Sequence, residues 1–122
     1  MTMFYRTQVT KIGEFATEAL NDNMMILFND NAPEDVADYC FIHPRAELQG
    51  EIAVGGFFVL GNNRYPITAV GDVVNQNLGE LGHITIRFDG GRQAEYPGTV
   101  HVHGACPQEL GVGTQLIFER NF

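Results

Sequence analysis

His83-Ile84-Thr85-Ile86-Arg87-Phe88-Asp89 alternates in character along its length. Ile84, Ile86 and Phe88 fall on one face, while His83, Thr85, Arg87 and Asp89 fall on the other. A period of two is that of a strand with one buried face. Asp89-Gly90-Gly91-Arg92 follows and reads as a tight turn. Thr99 to His103 alternates again, with Val100 and Val102 opposed to Thr99, His101 and His103. Leu116 and Phe118 mark a last strand. Phe57 to Leu60 and Tyr65 to Val74 flank Gly61-Asn62-Asn63-Arg64, a hairpin signal. Met24 to Phe28 is an unbroken apolar run and predicts a strand covered on both faces. Tyr5 to Ile12 is the predicted first strand, although its alternation is poor.

Helical signals are scarce. Asn31 can cap, Glu34 follows three residues later as in a capping box, and Pro33 suits a first turn. Glu34 and Asp35 also sit where the helix dipole favours negative charge. These residues predict one short helix near residues 32–39. Asn77 to Leu81 reads as a second helical turn, weakened by Gly79. Six or more short strands, punctuated by 14 glycines, predict an all-β fold. A small closed barrel or a compact sandwich is expected, since closure removes exposed sheet edges.

The 122 residues suit one domain over 1–122, with no linker, repeat or low-complexity tract. No apolar run is long enough to cross a bilayer, and the N-terminal residues lack a signal-peptide pattern. The expected compartment is the cytoplasm, with no direct membrane insertion. Cys40 and Cys106 are expected to be free thiols. Seven basic residues face 15 acidic ones, for a net charge of −8. That balance argues against nucleic acid, which needs clustered cations. It suits encounter with a basic protein partner, and equally a plain solubility role.

Chemistry is limited by what the chain lacks. It contains no serine, and Gly55-Gly56 is not followed by the Lys and Ser/Thr of a phosphate-binding loop. Four histidines remain: His43, His83, His101 and His103. Cys40-Phe41-Ile42-His43 is an apolar run that ends in imidazole, and Pro44 then forbids the strand or helix from continuing. His43 is expected at the mouth of a loop, anchored by buried residues, with Arg45 two positions on. That arrangement suits an exposed nucleophile and suits an ordinary loop histidine as well. His101-Val102-His103 places two imidazoles on one strand face, about 7 Å apart. The pattern resembles the metal motif of cupins, except that Glu109 lies later than the cupin spacing allows. A β-barrel metal-binding module using His101 and His103 is the alternative reading.

A resemblance covers nearly the whole chain. Tyr39-Cys40-Phe41-Ile42-His43 resembles the active-site segment of the glucitol/sorbitol-specific IIA components of the bacterial sugar phosphotransferase system. Arg64-Tyr65-Pro66-Ile67-Thr68-Ala69-Val70-Gly71 is similar to a second family segment. Asn77-Leu78-Gly79-Glu80-Leu81-Gly82-His83, followed by Arg87-Phe88-Asp89-Gly90, is similar to a third. Ala94-Glu95-Tyr96-Pro97-Gly98-Thr99-Val100-His101-Val102 is similar to a fourth. The resemblance implies a phosphoryl carrier. His43 would accept phosphate from the phosphocarrier HPr and pass it to a cysteine of the IIB component, serving uptake of glucitol or sorbitol through the IIB/IIC permease. No cofactor and no metal is implied. Arg45 would pair with phosphate oxygens as a fork, and His83 or His101, both inside matching segments, would hydrogen-bond the phosphohistidine. His103 stands where the family is expected to carry a small residue.

Overall fold

A computed structural model describes residues 2–121. The alternating segments become strands of one curled sheet. In chain order these are β1 (Thr2–Gln8), β2 (Lys11–Ile12), β3 (Met24–Asn29), β4 (Phe41–His43), β5 (Phe57–Leu60), β6 (Asn63–Val70), β7 (Ile84–Arg87), β8 (Thr99–Val102) and β9 (Gln115–Arg120). Their spatial order is β1-β9-β5-β6-β8-β7-β3-β4-β2. The two strands at the ends of that order are neighbours in sequence. Val9 donates its N–H to Thr114 on the β9 side, and Thr10 donates to Ile42 on the β4 side. The N-terminal segment therefore joins both ends of the sheet into a barrel, as the all-β reading required.

Most pairings are antiparallel, but β3 lies parallel to β4 and β7 parallel to β8. The second of these shows where the turn at Asp89 leads. The turn forms, with Asp89 Oδ1 accepting the Gly91 N–H at 2.9 Å. It does not reverse the chain into a hairpin, because residues 88–98 cross over to a parallel partner, which a two-residue turn cannot reach. The hairpin expected near Gly61 does form. Leu60 pairs with Asn63, and Gly61 takes φ 60°, a conformation that glycine adopts without steric cost.

The core fills the barrel with Phe41, Phe58, Phe118, Met25, Leu27, Ile84 and Ile86 among its fully buried side chains. β3 is covered on both faces, as its unbroken apolar run predicted. Met25 and Leu27 enter the main core, and Phe28 packs with Cys40 and Ile42 on the outer side.

Among the described residues three helices flank the sheet: α1 (Ala16–Leu20), α2 (Glu34–Ala37) and α3 (Val74–Leu81). α2 falls inside the expected range, but Asn31 does not cap it. Pro33 holds the cap position with no side-chain bond, and Asn29 Oδ1 accepts the Asn31 N–H instead, at 3.0 Å. α1 was not expected: it is too short to show a periodicity. α3 extends the predicted Asn77–Leu81 turn towards its N-terminus and takes Val74 away from the predicted strand. It ends where Gly82 adopts φ 60°, and the N–H groups of Gly82 and His83 close onto the carbonyls of Leu78 and Asn77.

Candidate functional site

His43 closes β4, with its neighbours set by sheet register. It stands opposite Asn29 of the parallel strand β3. Because residues alternate along a strand, His43 shares the inward face with Phe41, while Ile42 faces the outer cluster. Its side chain is 0% exposed. The expectation of an exposed imidazole at a loop mouth is thus corrected. The chain does leave regular structure at Pro44, but the Pro44 carbonyl stays against the ring. Residues 44–56 lie outside the strands and are tied down where Gln49 N–H meets Phe4 O and where the Asn75 amide bonds both the N–H and the carbonyl of Ile52.

The imidazole is held at both nitrogens. Nδ1 lies 2.8 Å from the carbonyl oxygen of Pro44, and Nε2 lies 2.9 Å from that of Gly82. A neutral imidazole carries one N–H, so in that form one contact is a hydrogen bond and the other nitrogen keeps its lone pair. The backbone therefore fixes the plane of the ring, with a carbonyl oxygen against each nitrogen. Tyr5 of β1 stands against the ring edge-on, with centroids 6.2 Å apart and planes at 87°. Gly82 completes the site by what it lacks. A Cβ there would lie 2.6 Å from His43 Cε1 and 3.0 Å from Asn29 Cβ. Tyr5, Asn29, Asn75 and Gly82 are the residues that sequence reasoning passed over.

The other candidates lie apart from this ring. The Arg45 side chain is 68% exposed and faces Asp30 at 3.8 Å. His83 is half-buried, stacked on Phe28 with centroids 4.4 Å apart. Its Nδ1–H donates to the Leu27 carbonyl at 2.9 Å, and it borders a pocket of about 230 Å³ with Arg87 and Tyr96. Among the described residues, no hydrogen bond or ring contact joins His43 to His83, His101 or Arg45.

His101 was expected on a solvent face, yet it is 2% exposed. The crossover 88–98 covers that face of β8. Nε2 accepts the Glu95 N–H at 3.2 Å, which places the proton on Nδ1, and Nδ1–H donates to Asp89 Oδ1 at 2.8 Å. Both nitrogens are thus engaged, and neither lone pair is free for a metal ion. The His101–His103 pair of the alternative reading is not realised in this geometry.

Burial alone would raise the Asp89 carboxyl, but hydrogen bonds from His101 and Gly91 and the charges of His101 and Arg87 outweigh it and hold the group below 3.8. A depressed value means that the ionised form favours the fold above the ordinary value, and that this contribution is lost as the pH falls through the folded one. Thermal unfolding of Asp89→Asn is accordingly expected to vary less with pH below about pH 4 than that of the parent chain. Equal slopes would show that Asp89 is not linked to folding.

Comparisons with known proteins give the family and the fold. The sequence profile of the family described as "PTS system glucitol/sorbitol-specific IIA component" matches residues 4–117. The glucitol/sorbitol-specific EIIA component of Shigella flexneri is 53% identical over 119 residues, covering 98% of this chain and 97% of that protein. The component of the same name from Escherichia coli strain K12 is 52% identical over the same shares. The crystal structure of a PTS system IIA component from Enterococcus faecalis V583 superposes with a TM-score of 0.82 at 25% identity, covering 93% of this chain and 98% of that one. No helix among the described residues is long and apolar enough to cross a membrane. The chain belongs to the glucitol/sorbitol-specific IIA components, the phosphocarriers of a sugar phosphotransferase system.

Proposed function

We propose that His43 is the phosphoacceptor, taking a phosphoryl group from HPr and passing it to a cysteine of the IIB component for glucitol or sorbitol uptake in the cytoplasm. The observation that carries this reading is the pair of carbonyls, Pro44 O and Gly82 O, that face the two ring nitrogens. Once the carbonyl facing it moves aside, the unprotonated nitrogen attacks phosphorus in line. The N–P bond to His43 forms as the bond to the donor imidazole breaks, and the donor leaves with the electron pair. The remaining N–H of His43 stays on its carbonyl, which stabilises the positive charge that the ring acquires. Such transfer depends on positioning and charge stabilisation rather than on further covalent chemistry.

Access to a ring that is fully covered comes from motion of segment 44–56, whose backbone lies outside the sheet ladder. Arg45 sits at the mouth of that segment with only a loose ion pair, and it is free to turn towards an arriving phosphate. His83 is held by Leu27 O and the Phe28 ring. His101 is committed to Asp89 and Glu95. An acidic surface assists encounter with a basic face of HPr.

The test is incubation with enzyme I, HPr and phosphoenolpyruvate, followed by intact mass before and after acid. One added phosphoryl group, lost in acid and absent from His43→Ala, is the expected result. Phosphoryl uptake by His43→Ala would move the acceptor to another residue.

A further inference from the structure

The Tyr5 hydroxyl is anomalous. Tyr5 is 2% exposed, and its oxygen is fully buried with no hydrogen-bond partner. An unmet buried hydroxyl is costly, and native proteins seldom leave one without a reason. Packing does not supply the reason. The ring rests against Phe118 at 6.2 Å, a contact that phenylalanine would make equally well. The fold satisfies its other core tyrosine: Tyr65 donates its hydroxyl to Ala105 O at 2.8 Å. The strand is also irregular at this point, because β1 slips its register against β9 between Met3 and Tyr5. Such irregularities re-aim side chains. Burial pushes the Tyr5 phenol up to about 12, so it remains a neutral O–H donor at any physiological pH.

The Tyr5 ring lies 6.2 Å from the His43 ring between centroids, and the backbone groups that meet the two His43 nitrogens are both acceptors. Pro44 O and Gly82 O can hold an N–H of His43, but they repel phosphoryl oxygens. A phosphoryl group carried on His43 in a covered site needs a donor, because a buried anion without one is strongly disfavoured. We propose that the Tyr5 hydroxyl is the positioning donor for the phosphoryl group once it is on His43, unpartnered in the resting chain and hydrogen-bonded to a phosphoryl oxygen in the loaded one. The proposal rests on the assignment of His43 as acceptor. No covalent step involves Tyr5: its O–H bond is retained, and the hydroxyl loses its partner again when the phosphoryl group departs.

Tyr5→Phe tests this, with the lifetime of the phosphoprotein at neutral pH as the readout. The resting variant is expected to unfold at the same temperature as the parent or higher, since no resting bond is lost. Its phosphohistidine is expected to hydrolyse about tenfold faster, the scale of one hydrogen bond to a charged group. Tyr65→Phe is the control: it loses a bond that is made, so it should lower the unfolding temperature and leave the phosphohistidine lifetime unchanged. A Tyr5→Phe phosphoprotein as long-lived as the parent would overturn the proposal. So would a lowered unfolding temperature in resting Tyr5→Phe, because it would mean that the hydroxyl already has a partner. Absence of any phosphoryl group on the parent chain would overturn the assignment of His43 and this proposal with it. A phosphorylated parent beside an unaltered Tyr5→Phe lifetime would overturn this proposal alone.

Discussion

Gly82→Ala is expected to destabilise the fold by on the order of 3 kcal/mol and to slow phosphoryl uptake together. Two independent physical terms act at this position. The backbone takes φ 60° to close α3, a left-handed conformation that costs an ordinary residue about 1–2 kcal/mol. The added methyl would then lie 2.6 Å from His43 Cε1, too close for any real contact. Relief requires either rotation of the imidazole off its carbonyls or retreat of the helix end that carries Gly82 O. Either movement spoils the arrangement that holds the ring in place. Gly79→Ala is the matched control within the same helix. Its methyl would meet only Leu48 Cδ2, at 3.7 Å, and alanine favours a helix interior by about 1 kcal/mol over glycine. Urea unfolding and a phosphorylation time course on both variants check the contrast. A Gly82→Ala chain that matches Gly79→Ala in both would refute it.

Phe41→Ala is the second large effect, at about 3–5 kcal/mol for a buried aromatic truncated in a packed core. Phe41 is fully buried and pairs with Ile12 on one side and Leu27 on the other. It therefore holds together the short strand that ends in His43, whose three residues make few ladder bonds of their own. Domains of this size are stable by about 5–15 kcal/mol in total, so the variant should remain folded at room temperature and melt well below the parent. His43 lies two residues on and faces the same way. Loss of the phenyl ring should then loosen the imidazole and reduce phosphoryl uptake even where the chain is still folded. Calorimetry measures the first effect, and mass gain from phospho-HPr at a temperature below the transition measures the second. A loss of less than about 1.5 kcal/mol would show that β4 is held by something other than its core side chain.

The strands were legible because their burial follows a period of two. Ile84, Ile86 and Phe88 are buried where the alternation placed them. β8 shows where such reasoning stops. Thr99 and His101 fall on the polar face of an alternating strand, yet both are buried, because a crossover from elsewhere in the chain lies over them. Alternation reports on one strand and carries no information about what covers it. The parallel pairing of β7 with β8 was hidden for the same reason, since Asp89-Gly90-Gly91 makes a turn whichever way the chain goes next. At the candidate site, His43 could be singled out from its place before Pro44, whereas its surroundings could not. The Tyr5 ring reaches it from β1 and Gly82 O from the end of α3, two stretches far from it in sequence, whereas Pro44 O belongs to the next residue. One local signal did exist. Gly82 follows a helical segment and precedes a strand, and a glycine there marks a left-handed helix end, although nothing local shows that a histidine lies against it.

The N-terminal segment that joins the two ends of the sheet has a consequence for the order in which the molecule is made. Tyr5 pairs with Phe118, so the ladder between β1 and β9 closes a loop of nearly the whole chain. Loop-closure entropy must be met before that contact rewards it, and folds dominated by such distant pairings reach their native state slowly. During synthesis β1 is made before the other strands of this sheet and waits longest, since its ladder partner β9 is made after them. Until then β1 and the outer side of β5 present unpaired edges, of the kind that recruit other chains. The ring of His43 is affected by the same delay, because Tyr5 reaches its final place against it only when the barrel has closed.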